Sequence, residues 1–374
     1  MKNLRRNRLY IFTASIVGLL LLAPLNAIAN KQPSALYSNW NTPFQVRDYT
    51  FPSFLLLGFA PTPAIPLGKG RHHFSLTYSV VNDFQVSQTV EEYLRNNRNG
   101  QRRALDEADI NFIRNLPQGE GYYIDGEFTM LEFNYNQGIG KHTELGITAN
   151  YILYGGRLLD GFIYNFHDAI GTGQQGRNHV ANNQVQVVLA RDNGDDIVLA
   201  ERPSNGGFGD PSIYIRTAFP LPYFDWKGKL SIGIKPPLMS ERKFLSSGSW
   251  DGGFQLTLNK QALLNTYTIN AGYIYTGDFK QTRFNPPSLP YINLGWLHRY
   301  ENAPNIRSQI QLLLAEHPYR DLVDSELSEL QFLLTLGMKW KLNSGILGMA
   351  VSENIFNFDN TPDVIVHLSW EHFN

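Results

Sequence analysis

The chain has 374 residues, of which 43% are hydrophobic, 13% aromatic and 17% charged, and it contains no cysteine. This is too apolar and aromatic for a disordered chain, and the missing Cys excludes disulfide frameworks, thiolate nucleophiles and Cys-ligated zinc or iron–sulfur centres. A formal charge of −1 offers no general attraction to nucleic acid, and none is expected as a partner.

The first thirty residues set the compartment. Lys2, Arg5, Arg6 and Arg8 form a basic start, 9–22 an apolar core, and Ala27-Ile28-Ala29 a small-residue cleavage motif. These are the parts of a secretory signal over 1–29; the apolar core is short for a membrane anchor. No later run is long enough for a membrane helix: the nearest, 54–59, stops at the prolines of APTPAIPLG. Residues 30–70 are Pro-rich, and two arrangements stay open for them. They form either a plug inside the domain that follows or an ordered periplasmic lead-in.

From residue 71 onward hydrophobicity alternates with period two, the mark of half-buried strands. In 329–342, Leu330, Phe332, Leu334, Leu336, Met338 and Trp340 share one face, and Gln331, Thr335, Gly337, Lys339 and Lys341 the other. A soluble sandwich also alternates, so other features decide. The strands are long enough to cross a bilayer when tilted. Their polar face carries Lys and Glu beside Gly and Thr, as a wet interior would. Aromatics stand near strand ends (Tyr78, Tyr154, Phe219, Tyr275, Trp296, Trp340, Trp370), where interfacial girdles sit.

Connection lengths give the strongest signal. Strands are predicted at 71–82, 121–137, 142–155, 210–220, 226–237, 252–260, 265–277, 290–300, 306–316, 329–341, 345–354 and 363–373. Between them short and long connections alternate strictly, as in an antiparallel up-and-down outer-membrane barrel with periplasmic turns and outer loops. The reading is an all-β transmembrane barrel of about twelve strands over 71–374. The hairpin 184–201 around DNGD raises a fourteen-strand alternative. Its rows, Val185, Val187, Leu189 and Ile197, Leu199, are too short an apolar band to span, so it is assigned to an outer loop.

The inward rows bring Glu132, Arg216, Lys235, Lys339, Lys341, His367 and Glu371 to the lumen as candidate lining residues. Opposed charges there would either orient a permeating solute or pair across a filled interior. On this reading Leu336→Arg is costly, because it places a charge in hydrocarbon, whereas Lys339→Leu is mild. His367 and Ser369 share a face at i, i+2, the spacing of a base and nucleophile. A lipase pair would face lipid, though, and this row faces inward, so no catalytic residue is assigned.

In the first large loop Leu105, Ala108 and Phe112 have helical spacing, and Arg95, Arg98, Arg102 and Arg103 could pair lipopolysaccharide phosphates. Their interleaving with acids favours a solvated charged loop instead. In the second, Asp160, His167, Asp168 and Arg177 are outer-loop candidates. No metal-ligand spacing is recognisable among them, so no metal or cofactor is expected.

PFQVRDYTFPSFLLLGFA, YYIDGEFTMLEF, LDGFIYNFHDAIGTGQQGR, GGFGDPSIYIRTAF and the ending VSENIFNFDNTPDVIVHLSWEHF together resemble an uncharacterised family of proteobacterial outer-membrane barrels, a domain of unknown function. The resemblance covers nearly all of the chain after the signal. It implies the barrel fold and the outer membrane of a Gram-negative bacterium, with lipid, lipopolysaccharide and the barrel assembly machinery as partners. It transfers no catalytic residue. The functions left open are a passive channel or binding barrel for a small solute, an integral-membrane hydrolase, and a structural barrel with a closed lumen. Solute and oligomeric state are not readable from the chain.

Overall fold

The computed structural model describes residues 41–155, 176–192, 196–221, 225–321, 326–356 and 360–374. In chain order its strands are β1 (His72–Val86), β2 (Tyr122–Gly138), β3 (Thr143–Tyr154), β4 (Val185–Leu189), β5 (Ile197–Leu199), β6 (Gly207–Phe208), β7 (Ser212–Leu221), β8 (Trp226–Lys235), β9 (Asp251–Ala262), β10 (Asn265–Tyr275), β11 (Leu289–Arg299), β12 (Ile306–Ala315), β13 (Gln331–Leu342), β14 (Gly345–Phe356) and β15 (Val364–Phe373). All except β4–β6 form one antiparallel ring. Each strand pairs with the next, and β3 pairs with β7 across the β4–β6 excursion. The ring closes where β1 meets β15, from His73↔Phe373 to Asn82↔Val364. Closure leaves no barrel edge to template aggregation.

The alternation read from the sequence becomes two faces. Ile213, Ile215, Leu230, Ile232, Ile234, Leu336 and Leu368 are exposed on the outside, while Ser212, Arg216, Lys229, Ser231, Lys235 and Lys339 are buried inside. An apolar outer belt around a polar interior is the inverse of a soluble core, and it is what a barrel solvated by lipid requires. Tyr78, Tyr275 and Trp296 are exposed on that outer face. Tyr154 is not: it points inward, 3% exposed, and donates its hydroxyl to the Phe244 carbonyl. It shares parity with the inward row of β3, one residue off the outward Leu153.

β1 runs four residues past its predicted end, because Phe84, Gln85 and Val86 stay paired with β2 as far as Tyr123. The overhang of β2 at the long-loop end also holds β4, from Tyr122↔Leu189 to Gly126↔Val185. The 184–201 hairpin therefore belongs to the loops, but its apolar rows face inward. Val185, Val187, Leu189, Ile197 and Leu199 are buried with Ile124, Ile152 and Tyr154 over the barrel mouth.

Two helices cover the other side of this hairpin. α1 (Gln88–Asn97) starts at Ser87, whose hydroxyl accepts from Val90 N–H, and buries Val90 and Leu94. α2 (Glu107–Arg114) starts at a capping box between Asp106 and Asp109 and buries Ile110 and Ile113. The predicted face of Leu105, Ala108 and Phe112 is thus rotated. The cap places Leu105 before the helix and leaves Ala108 exposed. Phe112 stacks on Tyr93 with centroids 3.7 Å apart. The loop is not a solvated run of charge either. Arg98 is 2% exposed, pairs with Asp109 at 2.6 Å and donates to the carbonyls of Arg103 and Ala104, tying the two helices together.

Candidate functional site: the barrel interior

The interior is occupied by the chain's own residues 41–67. This strap enters at the short-turn end, where Arg307 at the start of β12 donates to the Asn41 side chain. It rises to a turn at Pro52 and a 3-10 helix, Ser53–Leu55. It then descends to Gly68, beside Gly138 at the end of β2. Its apolar run, which lacks a period because both sides are enclosed, is buried throughout: Phe44, Val46, Tyr49, Phe51, Phe54 and Leu57 are each at most 2% exposed.

Inward polar groups of the strands satisfy the strap's backbone, which no sheet pairs. At the foot, Lys339 Nζ donates to the Thr42 carbonyl at 2.9 Å and pairs with Glu371, which also accepts from the Thr42 hydroxyl at 2.7 Å. Gln311 donates to the Phe44 carbonyl at 3.1 Å. In the middle, Arg47 pairs with Glu132 at 3.3 Å and donates to the Phe54 and Leu56 carbonyls, bridging the two arms. Gly58 is required there, since a Cβ would overlap the Arg47 side chain. At the apex Phe51 N–H donates to Asp83 at 2.6 Å, and Phe51 and Phe54 pack on Phe244 and Phe128. On the way down, Leu57 N–H donates to Asp251, Tyr214 Oη to the Gly58 carbonyl, and Leu67 N–H to Glu144.

The sequence-named interior residues divide accordingly. Glu132, Lys339 and Glu371 bind the strap or pair beneath it. Lys235 pairs with Asp210 and Asp251, both at 3.2 Å. Arg216 donates to Asn136 and lies over the Tyr214 ring at 4.6 Å. Lys341 keeps the inward parity but is exposed at the short-turn end. The expectation that Lys339→Leu is mild does not fit this geometry, because Lys339 is 1% exposed and its loss takes the ammonium from the buried Glu371 carboxylate, leaving it the Thr42 hydroxyl and the His73 imidazole at 3.5 Å.

His367 and Ser369 do not bond to each other. His367 Nδ1 lies 2.8 Å from Ser79 Oγ and Nε2 2.9 Å from Ser352 Oγ, and the ring packs near Tyr49. With both ring nitrogens held by hydroxyls of neighbouring strands, the imidazole is a structural bridge. Of the outer-loop candidates, Arg177 is buried, pairs with Asp363, donates to Asn82 and lies over the Phe84 ring at 4.3 Å. Asp160, His167 and Asp168 lie outside the described residues. Among the arginines considered for lipopolysaccharide, Arg98 is sequestered, Arg102 bonds Val180 and Asn182, and Arg103 pairs with Asp106 and Asp109.

Sequence reasoning missed Arg47, Asp83, Glu144, Lys229 and Asp251. Glu144, Lys229 and Asp251 lie on inward rows whose parity was already fixed, and the pair Lys229–Glu144 at 3.0 Å was open to that argument. Arg47 carried no such signal.

The strap does not fill the whole interior. Between its arms and the inner faces of β10–β12 a small cavity of about 40 Å³ remains in the half toward the long loops, with Asp48, Tyr291, Asn293 and Glu316 among its lining. Below it the inward rows turn polar, and several buried atoms find no protein hydrogen-bond partner: both amide atoms of Gln309, Oε1 of Gln311, Nδ2 of Asn270 and Oγ1 of Thr268.

Residues 112–373 match the family described as protein of unknown function DUF3187. The chain belongs to that family. Among curated proteins none matches. The solved structures to which this DUF3187 member is similar include the COG4313 outer membrane channel from Pseudomonas putida F1, at 10% identity, 84% of this chain, 100% of that one and a TM-score of 0.48. A TodX deltaS2S3 mutant monoaromatic hydrocarbon channel is similar at 11% identity, 88% and 98% coverage and a TM-score of 0.37. OmpF from Salmonella typhi, in complex with daunomycin, follows at 6%, 81%, 97% and 0.31.

Proposed function

We propose that this protein is a solute channel of the outer membrane of a Gram-negative bacterium, held closed by residues 41–67. The observation that carries the reading is the strip along β10–β12, where the strap leaves a small cavity of about 40 Å³ and, below it, inward amides without protein partners. An interior meant only to be sealed would be packed to native density by its own side chains. Here the occluding element is a separate segment hydrogen-bonded to the wall. The long loops and their helical cap then face outward and meet lipopolysaccharide, and the barrel assembly machinery inserts the chain.

Planar-bilayer recording tests this. The full chain is expected to show rare, small openings. Arg47→Glu sets an acid against Glu132 and removes the bridge between the strap's arms, so it should raise the open fraction strongly. If a folded Arg47→Glu barrel passes no more current than the parent and neither conducts, the barrel is closed and structural. The ion pairs that hold the strap favour that second reading.

A further inference from the structure

We propose that the open pore is polarised along its axis, acidic at the long-loop end and basic at the short-turn end, and that it favours small zwitterions whose two charges stand several ångströms apart. The inference rests on the channel reading above and names the solute class of that channel.

The charges on the inward rows divide by height. In the short-turn half of the wall Lys229 pairs with Glu144 and Lys339 with Glu371, while Glu132, nearer mid-height, pairs with the strap's own Arg47. The same half also carries Arg216, Lys227, Arg299, Arg307 and Lys341, so among the described residues of this wall seven bases stand against three acids. Toward the long loops the balance reverses. There Asp83, Asp210 and Asp251 stand against Lys235 alone. Glu316 at that end is paired with Arg320 and adds no net charge. The segments just beyond the short-turn rim do not cancel its sign, since Asp225 and Glu301 are met by the exposed Lys69, Arg71 and Lys141.

Withdrawal of the strap bares both ends. Asp83 accepts from Phe51 N–H at 2.6 Å and Asp251 from Leu57 N–H at 2.8 Å, whereas Lys229 donates to the Ile65 carbonyl at 3.1 Å and Lys339 to the Thr42 carbonyl at 2.9 Å. Once the strap leaves, these acids lose a donor, these lysines lose an acceptor, and all four face the pore. Lys227 and Lys341 are exposed at the short-turn mouth even with the strap in place. Lys227 and Lys235 lie eight residues apart on β8, about 26 Å along the strand. That is several times the ~8 Å Debye length at physiological salt, so the two ends act separately. A cation drawn in by the acids is repelled at the bases, and an anion meets the reverse. A zwitterion with its ammonium toward the long loops and its carboxylate toward the short turns is favoured at both ends. Its advantage grows with the distance between its charges.

Two isomers test this, the zwitterion 6-aminohexanoate and the neutral 6-hydroxyhexanamide. Their entry is timed by the swelling of lipid vesicles holding the full chain with Arg47→Glu. The zwitterion should enter about threefold faster, the factor that one unit charge gains from another ~6 Å away in water. Lys227→Glu with Lys341→Glu, added to the same chain, brings the short-turn half of the wall to five bases and five acids. Both side chains are exposed, so no buried partner is left behind. The ratio of the two entry rates should then fall to about one, and the reversal potential in a KCl gradient should move toward cation selectivity. If Arg47→Glu does not fold, Gly58→Ala takes its place, because its Cβ meets the Arg47 side chain and loosens the same bridge without a change of charge. Equal entry of the two isomers refutes the solute class and keeps the channel. A zwitterion advantage that survives the lysine reversals refutes the axial polarity. Entry of neither isomer through a folded variant refutes the channel, and this inference with it.

Discussion

Lys339 and Leu336 sit three positions apart on β13, one buried inside and the other half exposed on the apolar belt. If the interior were a wet pore, losing Lys339 would cost little and only Leu336→Arg would hurt. The strap changes the arithmetic. Lys339→Met leaves Glu371, 2% exposed, with the Thr42 hydroxyl and the His73 imidazole 3.5 Å away in place of the ammonium, and leaves the Thr42 carbonyl without the Lys339 donor. Breaking a buried pair by removing one partner costs about 3–5 kcal/mol. Leu336→Arg, a cation in hydrocarbon, costs about 2–4 kcal/mol near the midplane. The two single variants should therefore be comparably unstable, for unrelated reasons. A double variant separates them. Lys339→Met with Glu371→Leu removes both charges, and the pair should recover about 1–3 kcal/mol of the summed single costs. Leu336→Arg with Glu371→Leu should be additive within about 0.5 kcal/mol. Urea titrations in lipid vesicles read all of these. A Lys339→Met cost below about 1 kcal/mol, as for a solvated ion pair, would refute the packed foot of the strap.

Arg98→Ala should loosen the helical cap without unfolding the barrel, since Arg98 pairs with Asp109 inside the cap; limited proteolysis should cut within 88–114 while the folded barrel's gel mobility is kept. Acid should open the loop after β12. His317 is fully buried, with Nδ1 accepting from Tyr319 N–H at 3.0 Å, and burial pushes its pKa down to about 3. The unfolded value is about 6.5, so the unfolded state binds the extra proton; this stability is full above pH ~6.5 and is lost as pH falls toward 3. Proteolysis of that loop should accelerate over this interval in the parent and lose the pH dependence in His317→Gln. Topology is checked by single cysteines: Asn285→Cys should label from outside intact cells, and Asn302→Cys, in the short turn before β12, should not.

The barrel was legible because period-two patterning and loop parity are local signals. Each strand reports its own two faces, and the twelve predicted spans match the ring to within a few residues. The strap was only half legible: residues 30–70 read as either a plug or a periplasmic lead-in, and nothing local chose between them, because the strap's partners are remote. Thr42 meets Glu371, Leu57 meets Asp251, and Arg47 meets Glu132. A segment enclosed on every side shows no periodicity, so FPSFLLLGFA reads only as apolar. The interior charges were named by parity, but parity does not say whether a charge faces water or a partner. For Lys339 and Glu132 the partner decides, and it comes from outside the repeating pattern. Arg98 misled for a related reason, since in a loop rich in both signs nothing local marks the one arginine that turns inward.

Both feet of the strap, at Asn41 and Gly68, stand at the same rim of the barrel. It is a tongue rather than a thread, and it can leave or enter without any chain end passing through the ring. Tension applied at residue 41 would load its contacts in sequence, first Thr42 with Glu371 and Lys339, then Gln45 with Ser75, then Arg47 with Glu132. Loads taken one at a time are peeled, not sheared. Many bonds that hold firmly at rest would then yield to a modest pull from the short-turn side, whereas pressure from the opposite side would load the apex and both arms together.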